Sequence, residues 1–143
     1  MTAGERWYGR ALTAEALALL IVAQYLVAYV RFARWRRWLG EPRPSAVTQV
    51  EQPGAIPPCA HRAARAVDRA SLRLPGNSKC LPRAMALLWM LRRRRLSGQL
   101  RLGVLAGCRR GGIDDLHAWV TFRGTTLIGH SDLPHREILT LER

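Results

Sequence analysis

The sequence predicts an α+β fold in which helices come first and a small antiparallel sheet follows. An uncharged apolar run at residues 16–30 and two further helical patterns account for most of the chain up to residue 93. Three short segments with alternating apolar side chains then follow between residues 99 and 128. With 143 residues, 48% of them apolar, the chain is long enough for one hydrophobic core.

Residues 1–40 are predicted to form an apolar helix that ends at Gly40. Residues 16–30 carry no charge, and a stretch rich in arginine and aromatic residues follows them. A helix of that length spans about 22 Å, less than the roughly 30 Å of a hydrocarbon layer. Three placements stay open: packing in the core or against a partner protein, lying on a membrane surface through residues 16–38, or crossing the membrane.

Residues 41–58 contain five prolines and are predicted to connect residues 1–40 with a larger unit over residues 59–143. Proline lacks a backbone N–H and interrupts helices, so such a run separates regular elements. Within the larger unit, residues 60–72 are predicted to form a helix. Its buried stripe is expected to contain Ala64, Val67 and Leu72.

The net charge of +13 and the three cysteines indicate the environment of the chain. The charge is consistent with an acidic partner, and equally with a GC-rich coding sequence, because all basic residues except Lys79 are arginines. Cys59, Cys80 and Cys108 form no close pair, which favours a reducing cytoplasm over a disulfide framework. The cysteine and histidine spacing matches no zinc motif, and no phosphate-binding loop is visible, so no metal or other cofactor is expected.

Cys80 lies at the predicted start of a helix. Pro82 is tolerated only in the first turn of a helix, so this helix begins near Cys80 or Leu81 and continues to about Arg93. Unpaired amides and the positive end of the helix dipole stabilise a thiolate at that place. The Cys80 N–H, with Asn77 as a second candidate, could donate to an oxyanion. Taken alone, the pattern also fits an inert buried cysteine.

His117 begins the second of three predicted strands, which cover residues 99–105, 117–122 and 125–128. Alternation puts His117 and Trp119 on one face of that strand. An imidazole that faces the cysteine-bearing helix could take the thiol proton, so His117 is the candidate base.

A histidine base also needs an acceptor that orients its other ring nitrogen. Asp132 and His130 follow the third predicted strand, whereas Asp114 and Asp115 precede the histidine, and all four are candidates. A further histidine, His135, lies in a polar tail and is expected to be solvated.

Several segments occur in the order found in one known family: Ser78-Lys-Cys-Leu-Pro-Arg-Ala-Met-Ala-Leu, Leu102-Gly-Val, His117-Ala-Trp-Val and Leu127-Ile-Gly. Together they resemble the lasso-peptide leader peptidases, a bacterial family of transglutaminase-like cysteine proteases with a Cys-His-Asp triad. The apolar N-terminal helix with its trailing arginines and tryptophans is similar to the stand-alone members. The resemblance covers roughly residues 10–135.

The resemblance implies a transglutaminase-like, papain-like fold, with the nucleophile at a helix N-terminus packed against a small antiparallel sheet. It implies that Cys80 is the nucleophile and His117 the base in removing the leader peptide from a lasso-peptide precursor. The implied partners are that leader peptide, a separate PqqD-like protein that holds it, and the lasso cyclase. A cytoplasmic location, free or at the membrane surface, and a small pocket for a leader threonine are implied as well.

The third triad member departs from the family pattern. With the His117-Ala-Trp-Val segment and Gly124 aligned, the family's aspartate position falls at Gly129. We expect Asp132 to take the role through a shift of the loop, with His130 as the alternative. A backbone carbonyl or a water could also serve, because the orienting group makes no bond to the substrate.

Other classes of function stay compatible with the residues. One is a transglutaminase-like acyltransferase that transfers acyl groups to amines. Another is a basic module that binds nucleic acid, and a third is a non-catalytic membrane-bound scaffold. The aromatic residues do not alternate with arginines along one basic face, so no specific nucleic acid is expected as a partner.

Overall fold

A computed structural model describes residues 2–43, 53–75, 79–107 and 116–142. Its helices are α1 (Ala3–Tyr29), α2 (Phe32–Trp35) with a 3-10 turn at Arg36–Trp38, α3 (Pro58–Ser71) and α4 (Cys80–Arg93). Its strands are β1 (Glu41–Arg43), β2 (Gln99–Leu105), β3 (Leu116–Phe122), β4 (Thr125–Ile128) and β5 (His135–Glu142). They form one sheet in the order β1-β5-β2-β3-β4, with every neighbouring pair antiparallel. The predicted α+β fold is confirmed, but the predicted helix end at Gly40 is wrong, because α1 ends at Tyr29 and Val30 is extended (φ −113, ψ 133).

One face of α1 lines the hydrophobic core. The helix starts in a capping box, in which the Glu5 N–H donates to the Thr2 hydroxyl at 3.3 Å. Apolar residues at helical spacing are buried against α3 and α4: Leu12, Ala16, Leu20, Ala23 and Leu26. By length and composition alone, α1 could also cross a membrane.

The first and last strands pair with each other. β1 lies beside β5 with Pro42 opposite Leu141, and the helices α1, α3 and α4 contribute to one core. Residues 44–52 of the predicted connector lie outside the described residues. The division of the chain at residues 41–58 stays a prediction.

α4 is the central helix, and it begins at Cys80 as predicted. Pro82 is its third residue, where the first turn needs no N–H from it. Met85 and Leu88, at helical spacing, are fully buried. Of the two next candidates for an inward position, Leu91 is buried whereas Arg92 is not. The helix packs against α1 and α3 on one side and against the sheet on the other.

α3 shows where helical spacing alone was misleading. Ala64 and Val67 are buried as predicted. Leu72 is 85% exposed, so its predicted burial is wrong. The helix ends at Ser71, and the chain turns before the next inward position is reached.

The sheet has two chemically different faces. The face that packs on the helices contributes apolar side chains to the core: Leu100, Ala118, Val120 and Leu141. The opposite side, here called the outer face, carries a polar network around Arg101. The Arg101 guanidinium donates to the Thr121 hydroxyl at 3.1 Å and to the Glu137 carboxylate at 3.0 Å. By the same alternation, His117 and Trp119 lie on the outer face.

Candidate active site

Cys80 is the first residue of α4, and its thiol is half-buried. The preceding residue, Lys79, is extended (φ −56, ψ 158), and no side chain among the described residues caps the helix. The first backbone bond of the helix joins the Arg83 N–H to the Lys79 carbonyl at 3.4 Å. The Cys80 N–H therefore belongs to the amides that a helix start leaves without a partner inside the helix. Asn77, the other oxyanion candidate, lies outside the described residues.

The thiol contacts the first residue of β3. Its Sγ lies 3.7 Å from the carbonyl oxygen of Leu116, in the peptide that joins Leu116 to His117. Carbonyl groups of a strand point sideways, close to the plane of the sheet. On one side of Leu116 lies β2, paired through Val104, whereas β4 pairs with β3 only from Val120 onward. The thiol therefore sits at the free side of β3, beside the backbone of His117.

The imidazole of His117 is held by a backbone carbonyl. Its Nε2 lies 2.6 Å from the Gly129 oxygen, and a carbonyl only accepts, so Nε2 donates. Nδ1 is then the ring nitrogen that can accept a proton. The ring stacks on Trp119 and on His135, with centroids 5.8 Å and 4.6 Å away. These contacts fix both the tautomer and the plane of the ring.

Cys80 and His117 lie near the same end of β3, here called the corner, but on different sides of it. The thiol lies beside the peptide that joins Leu116 to His117, whereas the imidazole lies on the outer face and, contrary to our expectation, does not face the cysteine-bearing helix. The roles of nucleophile and base stay predictions.

Gly129 occupies the place where the resemblance puts an aspartate, and its backbone admits no side chain. Its φ is +85, and an added Cβ would lie 2.7 Å from the Ala118 oxygen and 2.8 Å from the Trp119 Cβ. The carbonyl of Gly129 supplies the acceptor instead. The structure therefore offers a backbone group for the orienting position.

The other candidates for that position lie farther along the chain. Asp132 is exposed on the bend after β4, and no hydrogen bond joins it to His117 among the described residues. His130 is exposed and lines a cavity beside the imidazole. Both stay predictions, and Asp114 and Asp115 lie outside the described residues.

A cavity of about 220 Å³ opens beside the imidazole. It is lined by His117, Trp119, Thr126, Gly129, His130, Ser131, Leu133 and His135. Our expectation that His135 is solvated is wrong, because it is half-buried in β5 and stacked on His117. The apolar residues of this segment do not alternate, because Ile138 and Leu139 are adjacent, so no local pattern predicted the strand.

The corner therefore combines a thiol at an uncapped helix start, unpaired amides and an oriented imidazole. These are the parts that a cysteine-dependent hydrolase or acyltransferase requires. In the parts of the chain that the structure describes, no group of three or more His, Cys, Asp or Glu side chains could hold a metal ion.

Comparison with known proteins agrees with this class. The family model of the transglutaminase-like superfamily matches residues 23–140, which run from α1 into β5 and include Cys80, His117 and Gly129. The chain belongs to the transglutaminase-like superfamily, whose members are generally cysteine-based enzymes. No curated protein and no solved structure is significantly similar to it.

Proposed function

We propose that this protein is a cysteine peptidase that removes the leader from a lasso-peptide precursor, with Cys80 as nucleophile and His117 as base. The observation that carries the proposal is the position of the Cys80 thiol, at the start of α4 and 3.7 Å from the peptide oxygen before His117. The superfamily supports a cysteine-based enzyme. The lasso-peptide substrate rests on the resemblance of the segments around Cys80 and His117.

In this mechanism, Nδ1 of His117 takes the thiol proton, and the thiolate attacks the carbonyl carbon of the last leader residue. The oxyanion accepts a hydrogen bond from the Cys80 N–H. His117 then protonates the leaving amine as the peptide C–N bond breaks, which leaves a thioester on Cys80. Water, deprotonated by His117, hydrolyses the thioester and frees the leader with a terminal carboxylate.

The orienting group in this proposal is the carbonyl of Gly129. It keeps the hydrogen on Nε2, so Nδ1 is the ring nitrogen with a lone pair for the thiol proton. A carbonyl stabilises an imidazolium less than a carboxylate does, because it carries only a partial charge. Asp132, or His130, would stabilise the imidazolium more strongly than the carbonyl does if the loop after β4 moved toward the ring.

The proposed partners follow from the same substrate. A PqqD-like protein presents the leader, the peptidase cuts at the leader–core junction, and the lasso cyclase uses the released core. The net charge of +13 favours an acidic leader or partner surface. The cavity beside His117 is the candidate pocket for a small side chain next to the cleavage site.

Incubation of the precursor with the PqqD-like protein and the peptidase, followed by mass spectrometry, tests the proposal. The wild-type chain should give two peptides whose masses sum to the precursor plus one water. Cys80→Ala should leave the precursor uncut, whereas the matched variant Cys59→Ala should cut it normally.

Three outcomes would contradict the proposal. Normal cleavage by folded Cys80→Ala would show that Cys80 is not the nucleophile. A single adduct formed with an added amine would indicate the acyltransferase function. An intact precursor in the presence of wild-type chain and all partners would exclude the lasso-peptide substrate.

A further inference from the structure

The face of α1 that points away from the core is apolar as well. Tyr25 is 60% exposed and Tyr29 is 78% exposed, and Ile21 and Val22 are about half exposed beside them. Trp7, also exposed, lies on the same stripe because it is about five helical turns before Tyr25. A surface helix of a soluble domain normally turns polar side chains to water, so this stripe needs a different environment.

The stripe continues into the segment after α1. Phe32 and Trp38 are exposed there, and so are the arginines of the same segment: Arg31, Arg34, Arg36 and Arg37. No acidic residue occurs between Glu15 and Glu41. Exposed aromatic rings beside arginines match the boundary between acyl chains and anionic headgroups.

Packing excludes a crossing helix. The inner face of α1 is built into the core with α3 and α4, so the helix cannot leave them to be surrounded by lipid. If α1 meets a bilayer while its inner face stays in the core, the helix must lie along the bilayer surface.

We propose that the stripe on α1, together with the arginines that follow it, docks this protein on the surface of an anionic phospholipid bilayer. The corner that holds Cys80 and His117 is formed by the starts of α4 and β3 and shares no residue with the stripe. The proposal does not depend on the peptidase function.

Flotation with two kinds of vesicle tests the docking. The full-length chain should float with vesicles of equimolar phosphatidylcholine and phosphatidylglycerol, and little should float with phosphatidylcholine alone. Binding should fall as salt is added, because the attraction between arginine and phosphate is screened. Each arginine near an anionic surface contributes roughly a fivefold change in affinity.

Two pairs of variants separate docking from general basicity. The double variant Arg36→Gln/Arg37→Gln should bind phosphatidylglycerol vesicles about 25-fold more weakly. The double variant Arg123→Gln/Arg136→Gln removes the same charge from exposed positions of the sheet, in the β3–β4 turn and in β5, and should bind within about twofold of wild type. Tyr25→Ser/Tyr29→Ser should lower binding at every salt concentration, whereas Leu72→Ser should not.

Other results would overturn the proposal. Equal loss of binding in both arginine pairs would indicate non-specific attraction. Failure of the folded wild-type chain to float with anionic vesicles would exclude a bilayer as the occupant. A dimer that forms without lipid and is lost in Tyr25→Ser/Tyr29→Ser would assign the stripe to a second copy of the chain.

Discussion

The two ends of α4 are built in opposite ways. At the C-terminal end, the Arg92 guanidinium donates to the carbonyls of Trp38 and Leu39, and Arg94 donates to the Glu15 carboxylate at 2.6 Å. At the N-terminal end, Arg83 of the first turn donates to Asp68 of α3 at 2.5 Å. The one polar contact of the Cys80 side chain among the described residues, however, is the 3.7 Å approach of its thiol to the Leu116 carbonyl. The last turn is therefore joined to earlier segments of the chain by charged hydrogen bonds, whereas the residue that begins the helix is left open.

The two ends of α4 therefore contribute to different properties, the C-terminal end to stability and the N-terminal end to chemistry. The hydrogen bond that Arg94 donates to the Glu15 carboxylate raises the pKa of the Arg94 guanidinium, so Arg94 stays charged throughout the physiological range. Uncapped amides at the other end contribute little to the helix but are available to an oxyanion. Damage to the open end should therefore reduce activity, and damage to the joined end should reduce stability.

His117→Ala should give the largest effect. It tests whether the chemistry takes place at the open end of α4. Loss of the base should reduce precursor cleavage by about 10³-fold or more, because proton transfer limits both steps. The melting temperature should change little, since the ring is half-buried and packs on the outer face. His61→Ala, on the exposed side of α3, is the control and should cleave normally. Comparable losses in both variants would contradict the assignment.

Gly129→Ala should displace the acceptor of His117. The new Cβ would collide with the Ala118 carbonyl, so the loop must shift, and cleavage should fall by about 10²-fold. Gly107 has a similar positive φ (+95) but open space around it, so Gly107→Ala isolates backbone strain from the collision. That control should lose about 1 kcal/mol of stability and keep its activity. A normal cleavage rate in Gly129→Ala would show that the Gly129 carbonyl does not orient His117 for catalysis.

Glu15→Gln probes the joined end. Arg94 and Glu15 are 20% and 19% exposed, and loss of their charged hydrogen bonds should cost about 2 kcal/mol. The melting temperature should drop by about 5 °C, as measured by circular dichroism. Glu41→Gln, an exposed position on β1, should melt like wild type. Loss of cleavage at low temperature, where Glu15→Gln is still folded, would show that the two ends are coupled.

Asp132→Ala should give the smallest effect. Because Nε2 already donates to Gly129, removal of an exposed carboxylate should change the cleavage rate by less than about threefold. A loss of two orders of magnitude, with Ser131→Ala unaffected, would instead restore Asp132 as the orienting residue and require the loop to close over His117.

The helices and strands that were predicted correctly depend on residues close together in the chain. Pro82 placed the start of α4 at Cys80, and alternation placed β2, β3 and β4. β1 and β5 were missed because each is stabilised by the other: one has only three residues with a proline, and the other begins with charged side chains. Such pairing joins residues far apart in the chain, and short windows do not contain it.

The candidate site shows the same limit. Cys80 and His117 could be named from residue type and position, and both lie at the same corner. The Gly129 carbonyl could not be identified, because a backbone acceptor leaves no side-chain signature and depends on the register shift between β3 and β4. The stacking of His135 on His117 likewise depends on the neighbouring positions of β5, β2 and β3 in the sheet.

The pairing of β1 with β5 has a consequence for how the chain folds during its synthesis. β1 must wait for β5, so the sheet cannot close until β5 has left the ribosome. Until then, the apolar side chains by which the sheet packs on the helices are uncovered, as is the outer apolar face of α1. The nascent chain should therefore bind chaperones, or lipid, before the sheet is complete.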